Sequence, residues 1–176
     1  MKKLIRILAA VLTVCMLTAA VSVTSVAQSN SSNERTIHEY LTEDMGLCDA
    51  AACGVLANMK AESNLNANIY NGNHSSYGLC QWSGSRLNKL KNYCNRNGYD
   101  WHSLNGQLHY LEYELENSYP SVLKDLEKTS NSKKGSYNAG YNFCYDFERP
   151  ANRNSRSHQR GGIAQNNFWP HYQTND

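Results

Sequence analysis

The sequence predicts a mainly α (α+β) domain over residues 35–176, with a small β-hairpin or loop insertion beside a candidate active site. Three observations carry this. Apolar residues recur at helical spacing in segment after segment, most clearly Leu104, Leu108, Leu111 and Leu115, which step by four, three and four. Gly46, Gly98, Pro120 and Pro150 stand where those patterns stop, as helix terminators do. Between about residues 64 and 82 the helical period gives way to Asn, Gly, Ser and aromatic residues, including the turn dipeptide Asn71-Gly72.

Taken in order, TIHEYLTEDMG (36–46) reads as a helix with Ile37, Tyr40 and Leu41 on one face. In CDAAACGVLANMKAES (48–63), Ala51, Val55 and Met59 form a stripe every four residues. Glu62, three after Met59 and seven after Val55, projects from that stripe at the helix end. The insertion follows, then a helix in 83–98 with Leu87, Leu90 and Cys94 inward. The leucine-stepped helix of 100–120 and a short one in 121–128 come next. SYNAGYNFCYDFERP (136–150) is read as a helix with Tyr137, Tyr141, Cys144 and Phe147 on one side. The tail SHQRGGIAQNNFWPHY (157–172) is expected to be partly helical at best.

The first 27 residues have the layout of a signal peptide: Lys2, Lys3 and Arg6, an apolar run, then Ser25 and Ala27 at cleavage spacing before Gln28. The alternative is a retained anchor, since the run approaches the length of a membrane span. Residues 28–34 form a polar linker. The leader carries three of the 17 Lys and Arg and no acid, which leaves 14 basic against 15 acidic residues. That balance favours neither nucleic acid nor an anionic membrane as partner. Twelve tyrosines suit a neutral, hydroxyl-rich ligand such as a glycan. Cys48, Cys53, Cys80, Cys94 and Cys144 follow the leader; export permits disulfides, but an odd number leaves at least one thiol over, and the pairing is open. No Cys/His spacing suggests a zinc site, and neither metal nor cofactor is expected.

Glu62 carries the chemistry. After it the next acid is Asp100. A carboxyl on an apolar helix face at the mouth of a loop loses solvation and holds its proton more tightly, which is what protonating a glycosidic oxygen requires. A retaining glycosidase places a second carboxylate about 5 Å away and an inverting one about 6.5–9.5 Å away. Here such a partner must come from a distant segment, with Glu148 or Asp100 as the candidates, or be absent. Glu148 is read first as structural, paired with Arg149 or Arg153.

These residues resemble a known group. Gly46-Leu47, AACGVLANMKAES (51–63), SYGLCQW (76–82), GQLHYLEYEL (106–115) and FERP (147–150) fall in the order found in the phage tail lysozyme family, within the lysozyme-like superfamily that includes lytic transglycosylases and goose-type lysozymes. Cys53 and Cys80 stand where that family has small or apolar residues. The resemblance implies an enzyme that cleaves the bond between N-acetylmuramic acid and N-acetylglucosamine in peptidoglycan, as a hydrolase or as a lytic transglycosylase forming anhydromuramyl ends; with the leader, a secreted protein is expected, acting as a monomer on glycan strands. The resemblance makes Glu62 the catalytic acid. It places Ser76, Tyr77, Gly78, Gln81 and Trp82 along the sugar groove, with Ser63 holding the end of the acid's helix. Tyr137, in YNAG (137–140), is similar to a transglycosylase tyrosine that bonds the acid, although the helical period favours a core role. Strand alternation argues separately that Gln81 and Trp82 face opposite sides, Gln81 toward the sugar and Trp82 beneath the hairpin with its N–H bonded. Two rival readings remain: a cysteine peptidase using Cys80 and one of six scattered histidines, and a non-catalytic wall-binding module.

Overall fold

The computed structural model describes residues 31–173, so the expected leader at 1–27 and the start of the linker lie outside the described residues. Residues 33–39 are helical (α1) and run into a π-helical turn, Tyr40–Asp44, which Gly46 closes at φ +69°. The helix that organises the unit from Asn33 onward is α2, Asp49–Ser63. Eleven of its fifteen residues are buried, so it is a central helix covered on nearly every side rather than an amphipathic one with a single stripe. Its composition explains how it can be surrounded: Ala50, Ala51, Ala52, Gly54 and Ala57 let neighbouring backbones come close.

The closest of those neighbours is α6, Lys133–Phe143, started by Ser132, whose hydroxyl accepts from the Gly135 N–H. A Cβ at Gly54 would stand 2.5 Å from the Ala139 Cβ and 2.6 Å from the Gly140 nitrogen. One turn on, the buried Asn58 side chain donates to Gly54 O at 2.9 Å and to Gly140 O at 3.0 Å, tying the two helices through backbone carbonyls. Gly54→Ala is expected to destabilise by about 1–3 kcal/mol, as overpacking does. The better helix propensity of alanine, worth about 1 kcal/mol, does not offset this, because what blocks the methyl is α6 backbone. A melting temperature equal to or above wild type would contradict this packing.

α6 does not continue as the uniform helix its sequence suggests. It passes into a second π-helical turn, Cys144–Glu148, ended by Arg149 at φ 50°. The inward face is Ser136, Ala139, Gly140, Phe143, Cys144 and Phe147, while Tyr137 and Tyr141, expected in the core, are only half-buried. The tail also departs from expectation. It is helical throughout: α7 (Arg153–Ile163), a third π-helical turn (Ala164–Phe168) and α8 (Trp169–Tyr172). Gly161 is a contact residue; a Cβ there would meet the Tyr137 ring at 2.9 Å.

The remaining elements follow the sequence more closely. α3 (Gly84–Asn97) ends on Gly98 at φ +74°, with Leu90 and Cys94 buried and Leu87 half-buried. α4 (Leu104–Ser118) is capped by Ser103 and buries Leu108, Leu111 and Leu115; Pro120 opens α5 (Pro120–Glu127). Between α2 and α3 lies a two-stranded antiparallel hairpin, β1 (Ser76–Tyr77) and β2 (Trp82–Ser83), pairing Tyr77 with Trp82. Among the described residues no helix is long and apolar enough to cross a membrane.

Candidate active site

The chain leaves α2 through two successive left-handed residues, Asn64 (φ 55°) and Leu65 (φ 61°), with Asn64 N–H bonding back to Lys60 O at 2.9 Å. This sharp exit leaves Glu62 in the last turn, partly open, with 21% of its side chain exposed. Ser63, buried, donates its hydroxyl toward Met59 O and Leu79 O, each at 3.1 Å, and so fastens the helix end to the hairpin turn. It holds the acid's helix and is not placed to touch a ligand.

The hairpin turn is built from within. Gly78, at φ +75°, lies against the Gln107 amide, where a Cβ would come within 2.6 Å of Nε2. Gln107, wholly buried on α4, accepts from Leu79 N–H at 2.9 Å and donates to Ala67 O at 2.7 Å and Trp101 O at 2.9 Å. Tyr77 was expected along the groove, but it is 1% exposed, its hydroxyl given to Asn68 Oδ1 at 2.6 Å and its ring against Tyr70 and Trp101. Trp82 is likewise fully buried, with Nε1 donating to Glu114 Oε2 at 2.8 Å and its ring edge-on to Tyr110. A ring sealed on all sides offers no face to a sugar, so neither residue lines a groove. For Trp82 this is the expected place beneath the hairpin, with its N–H bonded.

Gln81 is a turn residue at φ 46°, outside the strand, so alternation does not set its direction. Its Nε2 donates to Gly78 O at 3.0 Å, bracing the turn, and its Oε1 has no partner among the described residues. Gly78 is buried and Ser76 half-buried. Tyr137 shares its hydroxyl with His158 Nδ1 at 2.6 Å and makes no bond to Glu62.

What meets Glu62 instead is Arg160, from the inner face of α7, whose Nη2 donates to Glu62 Oε1 at 2.7 Å. Glu148, the last residue of the second π-helical turn, also lies within electrostatic reach of Glu62. It pairs with neither Arg149 nor Arg153, which bond to Asp146 O and Asp146 Oδ1. As a residue it is half-buried, but its Oε1 is shut off from solvent and accepts no hydrogen bond. Burial pushes its carboxyl up to about 8; the charge of Glu62 adds to the rise, and Arg86, the Cys80 thiol and Arg160 oppose it. Asp100, the other candidate partner, is at the surface bonded to His102 at 2.8 Å, and His102 holds its carboxyl below the usual range.

A carboxylate that the sequence reading did not single out anchors the site from below. Glu114, 3% exposed, receives Arg86 Nε at 2.8 Å and Nη2 at 2.9 Å together with the Trp82 N–H. The forked guanidinium pair satisfies a charge that burial alone would make costly. The five described cysteines are free thiols. Cys80 is buried, and desolvation first, then the charge of Glu148, push its thiol well above the ordinary range. No histidine bonds to it among the described residues, so it is poorly placed as a nucleophile.

The helical domain with its small hairpin inserted after the central helix is of the lysozyme-like class. The profile of the phage tail lysozyme family matches residues 32–169, and the chain belongs to that family. Among curated proteins, Morphogenesis protein 1 of Bacillus phage B103 is 31% identical over 145 residues, covering 78% of this chain. The chain spans only 38% of that relative's length.

Proposed function

We propose that the chain cleaves peptidoglycan glycan strands at the bond between N-acetylmuramic acid and N-acetylglucosamine, with Glu62 as proton donor to the glycosidic oxygen. The observation that carries this reading is the setting of Glu62. It stands at the end of the central helix with 21% of its side chain exposed, one oxygen held by Arg160 and the other given no hydrogen bond by the described residues. A carboxyl fixed at one oxygen and open at the other presents its proton in a defined direction, as general acid catalysis needs. Membership of the phage tail lysozyme family supports the substrate class. The same reading makes the protein an exported, bacteriolytic monomer, with residues 1–27 removed as a signal peptide and glycan strands as its partner.

Mass spectrometry of digested cell walls tests the chemistry. New reducing sugar ends mean hydrolysis, anhydromuramyl ends mean lytic transglycosylation, and intact strands mean a binding module. The peptidase alternative is tested by Cys80→Ser, which is expected to keep wall lysis within several-fold of wild type. A dead variant that still melts normally, with walls releasing free peptide termini rather than sugar ends, would establish the peptidase instead.

A further inference from the structure

We propose that Tyr70 is a substrate-binding residue: its ring is the flat face that the hairpin region presents to a neutral, N-acetylated sugar of the glycan strand, a role that the buried Tyr77 and Trp82 do not fill. The inference rests on the proposed function for its substrate class. Four large apolar or aromatic side chains stand exposed among the described residues: Ile69, Tyr70, Tyr113 and Tyr145. Tyr145 has the Arg153 guanidinium over its ring at 3.8 Å, and the Tyr113 ring lies 4.7 Å from that of Tyr93, on α3. Ile69 and Tyr70 belong to the segment that leaves the helix of Glu62, and hydrogen bonds tie the two together. Ser63, next to Glu62, donates its hydroxyl to Leu79 O at 3.1 Å. Gly78, next to Leu79, donates its N–H to Ile69 O at 2.9 Å, and Gln81 Nε2 reaches the same oxygen at 3.4 Å. Tyr70 then bridges to Tyr77. The acid and the exposed ring are thus fastened to one hairpin turn.

The ring is held in place. Its neighbour Tyr77 lies 4.5 Å away, itself backed by Trp101 at 4.7 Å and bonded through its hydroxyl to Asn68 at 2.6 Å. His74 stands 5.2 Å from the Tyr70 ring. The loop that follows is closed on itself: Asn71 Oδ1 accepts from the N–H of Ser75 at 2.8 Å and of Ser76 at 3.1 Å, while Asn71 N–H donates to Ser76 O at 3.0 Å. A side chain already ordered loses little freedom when a ligand arrives. Yet 39% of Tyr70 is open, against 1% of Tyr77, and its hydroxyl has no partner among the described residues. The surroundings select the ligand. From Ser63 to Ser85 the chain has no Asp, Glu, Lys or Arg. Such a surface has no ion pair to offer a charged polymer. It suits a pyranose, whose C–H face packs on an aromatic ring while its hydroxyl and acetamido groups meet side-chain amides and hydroxyls.

The test is calorimetric titration of the Glu62→Gln protein, which does not turn the ligand over, with soluble uncross-linked glycan strands. Adding Tyr70→Ala or Tyr70→Leu is expected to weaken binding about three- to ten-fold, the size of one lost aromatic contact. Tyr70→Phe keeps the flat face and is expected to recover most of that loss. Leucine fills the space against Tyr77 without offering a plane, so Tyr70→Leu binding as tightly as its parent makes the residue a packing element and overturns the proposal. Equal weakening by Tyr70→Phe and Tyr70→Ala assigns the effect to the hydroxyl and overturns it too, as does a parent that binds no strands. Should Tyr70→Ala fail to fold, Tyr70→Leu and Tyr70→Phe still decide. With Glu62 intact, the loss in wall lysis by Tyr70→Leu is expected in KM far more than in kcat. A loss in kcat at unchanged KM would mean a hairpin that misplaces Glu62, and so a structural Tyr70. The two readings fail separately. Strands that bind through Tyr70 while wild type releases no sugar ends would remove Glu62 from the chemistry and leave Tyr70 in the site. Strands cut by Tyr70→Leu with wild-type KM would do the reverse.

Discussion

Glu62→Gln is expected to abolish wall lysis and leave the fold intact. The amide oxygen can still accept from Arg160 Nη2, so the bond now 2.7 Å long survives and the buried guanidinium keeps its partner. What the amide cannot do is release a proton to a leaving oxygen. General acid catalysis contributes roughly 100- to 10,000-fold, and the loss in turbidity clearing should fall in that range or beyond. Melting temperature and far-UV circular dichroism should match wild type. A variant that clears walls at near-normal rate would remove Glu62 from the chemistry. Loss of activity together with an early melt would leave Arg160 pairing as the explanation, and Glu62→Asp would then separate the two. Aspartate keeps a proton to give but draws the carboxyl back by one methylene from Arg160.

How much of this was legible in the sequence differs by residue, for physical reasons. The position of Glu62 at the end of a helix was readable because helical spacing is local and Gly and Ser–Asn signals mark its limits. That α2 is buried all round was not, since the same alanines and glycine serve an exposed helix or a tightly enclosed one. The helical tail was missed because Gly161-Gly162 reads as a break, and only the Tyr137 ring against Gly161 reveals a packing role. Tyr137 was misplaced because the buried stripe of α6 runs through the small residues Ser136, Ala139 and Gly140, which carry no apolar signal, while Tyr137 and Tyr141 beside them do.

The partners of Glu62 were hidden more deeply. Arg160 lies 98 residues away in sequence, and the contact is purely tertiary. One signal was present. Ser157, Arg160, Gly161 and Ala164 have the i, i+3, i+4, i+7 spacing of a core face, and all four are buried. An arginine on a stripe of small residues is a charge drawn inward, and such a charge requires a carboxylate. Glu148 carried a weaker form of the same signal, four residues after Cys144 and next to Phe147, both of which are core. Its arginine neighbours in sequence suggested surface pairs, whereas in the fold those arginines turn to Asp146.

Trp82→Ala is expected to be the most destabilising single change at the hairpin, and its result separates framework from groove. The side chain is wholly buried, packed edge-on against Tyr110 at 5.5 Å and paired across the strands with Tyr77. Truncating a buried Trp costs about 3–5 kcal/mol. Over a domain of this size that is a fall in melting temperature on the order of 10 °C. The hydrogen bond is the smaller part of the cost, because Glu114 Oε2 keeps Arg86 Nη2 at 2.9 Å after the Trp82 N–H has gone. Trp82→Phe, which restores most of the volume but not the N–H, should therefore recover most of the loss and sit within about 1–2 kcal/mol of wild type. The two variants together test whether packing or the polar anchor dominates. If Trp82→Phe melts as early as Trp82→Ala, the bond to Glu114 is the main contribution. If Trp82→Ala melts like wild type yet loses wall lysis, the ring is a sugar platform and its burial beneath the hairpin is wrong.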